Sequence, residues 1–192
     1  MTPERLQEVI DSHPVIQSDN LLLRLPTQKD AQSIFNYASD PDVTKYMHWD
    51  THRSLQDSVD FLDRCIESDR RYDQLDFGIT LKENNLFVGM CGFHNFTLSH
   101  GRTEMGYVLH KDYWGKGIMT EAVSVLLKYG FEALQWHRIQ AIARVENIPS
   151  QRVMKNVGMQ EEGLLRDYLF IKGHYFDYKL FSILKKDFHS EP

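Results

Sequence analysis

Residues 113–122, Tyr-Trp-Gly-Lys-Gly-Ile-Met-Thr-Glu-Ala, join two stretches of different hydrophobic period. Upstream, Glu104–Leu109 reads as a strand. Downstream, Ala122, Val125, Leu126, Tyr129 and Ala133 fall at helical spacing. A strand, a turn bearing Gly115 and Gly117, and a helix start together form an anion site. Glycine lets the backbone turn sharply and leaves no side chain in the way of a phosphate. The first helical turn adds unpaired N–H groups and a partial positive charge. Two phosphate-binding patterns are excluded. A Walker loop needs Ser or Thr after its lysine, and Lys116 precedes Gly117. A dinucleotide fingerprint needs a third glycine, and position 120 is Thr.

The loop, with Thr120-Glu121-Ala122 after it, resembles the acetyl-CoA pyrophosphate loop of the GNAT N-acetyltransferases. It is most similar to the branch that acetylates the N-termini of ribosomal proteins. The resemblance spans roughly residues 20–184. It includes Leu21-Leu22-Leu23-Arg24, Asp40-Pro41-Asp42-Val43, Val88-Gly89 with Gly92-Phe93, and Glu104-Met105-Gly106-Tyr107. Asn147-Ile148-Pro149-Ser150 and Lys155-Asn156-Val157-Gly158-Met159 complete it. Two positions depart from the general loop pattern. Trp114 stands where Gln or Arg is usual, although tryptophan is common in the ribosomal branch. Met119 stands where Gly or Ala is usual, and is expected to narrow the space beside the pyrophosphate.

The resemblance implies acetyl-CoA as cosubstrate, held by Trp114, Gly115, Lys116, Gly117, Ile118, Met119 and Thr120. The main chain of Tyr107, Val108 and Leu109 is expected to pair with the pantetheine amides, as a strand edge pairs with a peptide. One N–H there could serve the oxyanion. Asn147 matches the residue that hydrogen-bonds the pantetheine arm, and is also a turn-former before Pro149. Acetyl transfer to an amine needs a neutral amine, oxyanion donors and a proton for the thiolate. The family places a carboxylate at Glu104, which is the base candidate. Its alternative is a strand residue paired with Arg102 or another base. Ser150 is the acid candidate, matching a serine near the CoA sulfur, and also occupies an expected N-cap. Both roles are compatible. Lys116, Arg152 and Lys155 could meet phosphates or be solvated. His94 is an alternative base. Tyr46, Trp49 and Tyr175 could line the acceptor cleft or belong to the core. No metal is expected: His48 and His52 lack a third ligand.

These residues need elements to position them. Pro3–Asp11 is an amphipathic helix within an N-terminal arm, residues 1–19, appended to a single domain spanning 1–192. Leu21–Leu25 is a strand. Thr27 caps a helix to about Ser39, and a short helix follows near Asp42–Met47. Ser54 caps another, with Leu55, Val59, Leu62 and Ile66 on its inner face. Leu75–Leu81 and Phe87–Phe93 form a hairpin, and Arg102–His110 leads to the glycine turn. Thr120–Leu134 is apolar on most sides. Arg138–Val145 is a strand, Ser150–Asn156 a helix stopped by Gly158, and Met159–Ile171 with Tyr175–Leu184 a last hairpin. The fold class is α/β (α+β layered), and the resemblance implies a GNAT fold. Its central sheet is mixed, mostly antiparallel, with about seven strands flanked by helices.

Composition sets outer limits. The 192 residues are 42% hydrophobic and 26% charged, as in ordinary globular chains. No apolar run approaches the roughly 18 residues of a membrane span. Met1-Thr2-Pro3-Glu4-Arg5 does not begin a secretory signal. Cys65 and Cys91 form no motif, so a cytoplasmic location is expected. A net charge of −5 argues against nucleic-acid binding and suits a cationic acceptor. The expected partner besides acetyl-CoA is an amine, foremost a protein N-terminus, met by a monomer or homodimer. A polyamine or aminoglycoside is the alternative acceptor. A CoA-binding sensor without turnover is the alternative class.

Overall fold

The computed structural model describes residues 2–188. Met1 and residues 189–192, the ends of the expected 1–192 domain, lie outside the described residues. The elements run α1 (Pro3–Asp11), β1 (Val15–Gln17), β2 (Leu21–Arg24), α2 (Ala31–Ala38), α3 (Pro41–Thr44) and α4 (Leu55–Arg70). Then come β3 (Leu75–Leu81), β4 (Leu86–Thr97), β5 (Arg102–Leu109), α5 (Ile118–Glu132), β6 (Arg138–Arg144), α6 (Ile148–Asn156), β7 (Gln160–Ile171) and β8 (His174–Leu184).

The strands make one eight-stranded sheet in the order β1-β2-β3-β4-β5-β6-β8-β7. The strand beyond the expected seven is β1. It pairs antiparallel with β2, Ile16 opposite Leu23, so the arm is helical only over α1. Nor is the arm peripheral: Leu6, Val9, Ile10 and Ile16 are buried in the main core beside Leu21, Leu23 and Phe77.

Every pairing in the sheet is antiparallel except β5 with β6. That parallel register covers only Arg102↔Arg138, Thr103↔Ile139 and Glu104↔Gln140. Past Glu104 the two strands part, while β5 stays in register with β4 as far as Leu109↔Gly89. The sheet is therefore split at its middle, and the split exposes one edge of β5.

Helix α5 covers the split from one side. Its buried residues, Met119, Ala122, Val123, Leu126, Leu127, Gly130 and Phe131, recur every three or four positions. They form one broad stripe, not burial on most sides, and Ser124 and Lys128 stay exposed. The helix comes close to the sheet at Gly130, where a Cβ would stand 2.8 Å from Ile139 Cδ1 and from Phe93 Cζ. On the other face, α2 and α4 pack around Ile34, Tyr37, Leu62 and Met90. The buried face of α4 runs through Ser58, Leu62, Cys65 and Asp69. Leu55 is 43% exposed, so the apolar face expected for this helix is rotated by about one residue. The expected Thr27-capped helix begins with a 3-10 turn, Gln28–Asp30, in which the Asp30 side chain completes a capping box.

Candidate active site

Where β5 and β6 part there is a cavity of about 710 Å³, in the range of small-molecule sites. One wall is the end of β5, Tyr107–Leu109. Another is the 113–120 turn and the start of α5. A third is α6, with Asn147, Ser150 and Arg152. Helix α3 and the residues just after it, Tyr46 and Met47, close the far side.

The glycine turn has the local geometry its composition suggested. Gly115 and Gly117 have φ of +71° and +79°, where L side chains are strained, and a Cβ on either would meet nothing within 4 Å. Gly117 is the N-cap of α5, and no side chain caps the helix. The first N–H groups of α5 therefore face open space, the condition for anion binding. The loop is anchored by Trp114, whose indole Nε1 donates to Leu109 O at 2.8 Å. Met119 is 7% exposed and sits in the core, so it both lines the cavity and holds the helix. Lys116 is not on the cavity wall, but its Nζ stands 5.2 Å from the ring centroid of Tyr113, which is.

Glu121 follows one turn into α5 and was not singled out by its sequence context. Its Oε1 accepts from Ser18 Oγ at 2.6 Å and from Asn20 N at 3.1 Å. This ties the helix start to the β1–β2 turn and draws the carboxylate away from the cavity. An acidic residue in a first helical turn was the available signal.

On β5 the peptide groups alternate between its two neighbours. His110 N donates to Val88 O at 2.8 Å, so Val108, two residues earlier, also directs its peptide toward β4. The peptides of Tyr107 and Leu109 then face the split. This corrects the expectation for Val108, whose peptide is turned to β4; at Leu109 the carbonyl accepts from Trp114 and the N–H stays on the split side.

Helix α6 starts earlier than its sequence suggests. Its N-cap is Asn147, whose Oδ1 accepts from Ser150 N at 3.3 Å. Ser150 lies inside the first turn, and its hydroxyl does not cap the helix. It meets the Tyr107 phenol instead: Tyr107 Oη is 2.9 Å from Ser150 Oγ and donates to Ser150 O at 3.0 Å. Burial pushes the Tyr107 pKa up to about 12, against a smaller lowering by the Ser150 hydrogen bond. Sequence reading reached only the main chain of Tyr107, because 43 residues separate the two side chains. Gln151, also missed, is buried and donates from Nε2 to Arg144 O and Val145 O at 3.1 and 2.8 Å, fixing α6 to β6.

Glu104 lies on β5 just before the strands part. It is not on the cavity wall. Its Oε1 is 3.3 Å from His94 Nε2, and its Oε2 accepts from Gln140 Nε2 at 3.2 Å. Its partner is therefore His94, not Arg102. Burial raises its pKa, but the hydrogen bond and charge of His94, with hydrogen bonds from Gln140 and Asn95, outweigh that. The net pKa lies below the ordinary 4.5, so the group is a carboxylate at neutral pH.

Of the other cations, Arg152 is on the cavity wall, whereas Lys155 turns to Glu161 at 3.4 Å. Of the acceptor-side aromatics, only Tyr46 is on the wall. Its hydroxyl donates to Glu146 O at 3.4 Å, across the split. Trp49 packs against His52 and Phe61, and Tyr175 is 63% exposed beside Phe170. His52 pairs with Ser58 Oγ at 2.8 Å. Among the described residues, no three His, Cys, Asp or Glu side chains are grouped to hold a metal, and no helix is long and apolar enough to cross a membrane.

Comparison with known proteins agrees with this geometry. Residues 20–160 match the family model described as "Acetyltransferase (GNAT) domain". The chain is 36% identical over 173 residues to "Uncharacterized N-acetyltransferase p20" of Bacillus licheniformis, covering 90% of this chain and 97% of the relative. The crystal structure of a GNAT-family acetyltransferase from Bacillus anthracis superposes with a TM-score of 0.82 at 31% identity, over 90% of this chain and 99% of that one. Ribosomal-protein-S5-alanine acetyltransferase from Vibrio fischeri does so with a TM-score of 0.74 at 26% identity, over 92% and 100%. The split sheet, the uncapped glycine turn and these matches together place the chain in the GNAT acetyltransferase family, as an acetyl-CoA-dependent N-acetyltransferase.

Proposed function

We propose that the protein acetylates the N-terminal α-amine of a ribosomal or other protein, by direct transfer in a ternary complex. What carries this reading is the likeness over nearly the whole chain to the ribosomal-protein-S5-alanine acetyltransferase, and the ionised state of Glu104 fits it. A carboxylate held below its ordinary pKa is a weak base. An α-amine, with a pKa near 8, is partly neutral already and asks little of a base, whereas a lysine near 10.4 asks far more. The likeness to the S5-alanine enzyme supports the same class. Direct transfer is supported by the cysteines. Cys65 and Cys91 are buried and unpaired, and burial pushes both thiols far above their ordinary pKa, so neither is a ready acetyl carrier. A cytoplasmic place of work goes with two free thiols.

In this reading Gly115, Gly117 and the first turn of α5 hold the pyrophosphate, and Arg152 adds a cation. The peptide of Tyr107 meets the pantetheine arm. Glu104 takes a proton from the amine, directly or through water. The amine nitrogen bonds to the acetyl carbon, the C–S bond breaks, and Ser150 gives its proton to the departing thiolate. As that charge forms, the Tyr107 hydroxyl turns from Ser150 O to Ser150 Oγ, 2.9 Å away, and donates to it.

The test is release of free CoA thiol from acetyl-CoA with a panel of acceptors: peptides with free N-termini, spermidine and an aminoglycoside. Fastest release with a peptide is the expected result. Preference for a small amine would move the acceptor class, and no release with any amine would favour a CoA-binding sensor.

Ser150→Ala tests the leaving-group step. It should lower turnover about 10- to 100-fold while acetyl-CoA binding changes little, because proton donation matters only as the thiolate forms. Asn147 supplies the α6 cap, so the melting temperature should hold. Unchanged kcat would remove Ser150 from the chemistry.

A further inference from the structure

The sheet face that carries Glu104 holds a second group able to accept a proton. His94 lies opposite Glu104 in the β4–β5 register. Its Nε2 is 3.3 Å from Glu104 Oε1, while Gln140 Nε2 is 3.2 Å from Oε2. The Gln140 amide nitrogen only donates, so of these two partners only the imidazole can take a proton from the carboxyl. Side-chain exposure rises from 11% at Glu104 to 36% at His94, so the ring reaches water that the carboxylate hardly meets.

The surrounding residues fix the backbone that carries this ring. Thr103 Oγ1 donates to His94 O at 2.9 Å. The ladder then breaks, with a register shift between His94 and Thr97 and Asn95 at a φ of +53°. Beside the ring the sheet is bare, because Gly92 and Gly106 stand opposite each other. A Cβ at Gly106 would be 3.2 Å from His94 Cε1, and one at Gly92 would be 2.4 Å from Asp76 Oδ1. Across that bare strip the charges of His94 and Asp76 interact. Desolvation pushes the Asp76 pKa up, and the His94 charge and a Cys65 hydrogen bond pull it back, to about 6. His48, from the segment after α3, also senses the His94 charge. The ring thus faces carboxyl groups on two neighbouring strands, Glu104 on β5 and Asp76 on β3.

We propose that His94 is the proton relay of the transfer, taking from Glu104 the proton removed from the acceptor amine and passing it to solvent. The inference rests on Glu104 acting as the base. The proton balance requires an exit. An ammonium acceptor and acetyl-CoA give an amide, CoA thiol and one proton. Two protons leave the nitrogen as the N–C bond forms and the C–S bond breaks. One returns to sulfur through Ser150. The other must leave the carboxyl of Glu104 before the next turnover. It passes from Oε1 to Nε2 of the neutral ring whose own proton sits on Nδ1, and the resulting imidazolium loses one proton to water, returning to that tautomer by solvent exchange.

His94→Gln and His94→Ala test the relay beside Glu104→Gln, each shown folded by thermal melting. The assay is steady-state acetylation of a peptide with a free N-terminus, with and without added imidazole. Both His94 variants should lose about tenfold or more in kcat, with the KM for acetyl-CoA nearly unchanged. Imidazole should restore much of the loss in His94→Ala and none in Glu104→Gln. Rescue separates proton transfer from a packing role, which added imidazole would not repair. Wild-type kcat in the His94 variants, or a loss that imidazole leaves in place, overturns the relay. A slow Glu104→Gln beside normal His94 variants overturns the relay alone. A wild-type rate in Glu104→Gln removes the base, and the relay with it.

Discussion

Glu104→Gln should lower kcat by about 10²- to 10⁴-fold at neutral pH, the range of general base catalysis. The amide keeps the shape of the side chain and its contact with Gln140 but cannot accept the amine's proton. The deficit should be largest where the amine is charged, and should shrink as pH rises through the amine's own pKa, near 8 for an α-amine. Recovery only well above that would indicate a lysine-like acceptor. The sign of the carboxyl's own shift fixes the useful window. Its folded pKa lies below the ordinary 4.5. The charged form therefore stabilises the fold above that ordinary value, and the contribution is lost as pH falls through the lower folded one. Rates are best compared from neutral pH upward, where the wild-type group stays ionised. Equal rates for the two proteins at neutral pH would exclude Glu104 as the base, and a uniform deficit at every pH would leave it a positioning role.

Gly117→Val should weaken acetyl-CoA binding at least tenfold, about 1.4 kcal/mol or more. Two effects combine. At a φ of +79° a branched side chain is strained, and its Cβ enters the open space before the first N–H groups of α5. Strain alone, of order 1–2 kcal/mol, would lower stability without touching affinity. Gly173→Val separates the two. Gly173 lies between β7 and β8 at a φ of +86° with nothing within 4 Å of a Cβ. It should show similar destabilisation with unchanged affinity by calorimetry. A folded Gly117→Val protein that binds acetyl-CoA normally would displace the pyrophosphate from this turn.

What could be read from the sequence was what local chemistry determines. Two glycines before a helical period identify the turn, and alternation places Glu104 on β5. The hidden features depend on distant partners or on short spans. Three residues, Val15–Gln17, are too few for a period, so β1 reads as part of an arm. Helix α4 buries Ser58 and Asp69, and polar residues on an inner face rotate the apparent stripe. Pro149 draws attention to Ser150 as a cap, although Pro also suits a first helical turn, and the cap is Asn147. The meeting of Tyr107 with Ser150, and of His94 with Glu104, follows from strand register and from where α6 docks. No spacing in the chain reports either.

The split between β5 and β6 also has a thermodynamic consequence. Past Glu104, β5 has lost its neighbour on one side, so the peptide of Tyr107 stands at an edge inside the sheet. In the proposed site a cosubstrate arm laid along that edge acts as a substitute strand, available only in the folded chain. Mass action then couples the fold to the supply of acetyl-CoA. At a free concentration one hundred times Kd, occupancy adds about 2.7 kcal/mol to the unfolding free energy. Against a total of roughly 5–15 kcal/mol, that is enough to change how often the chain opens. On the proposed placement of the cosubstrate in that gap, the lifetime of the folded protein depends on the abundance of acetyl-CoA.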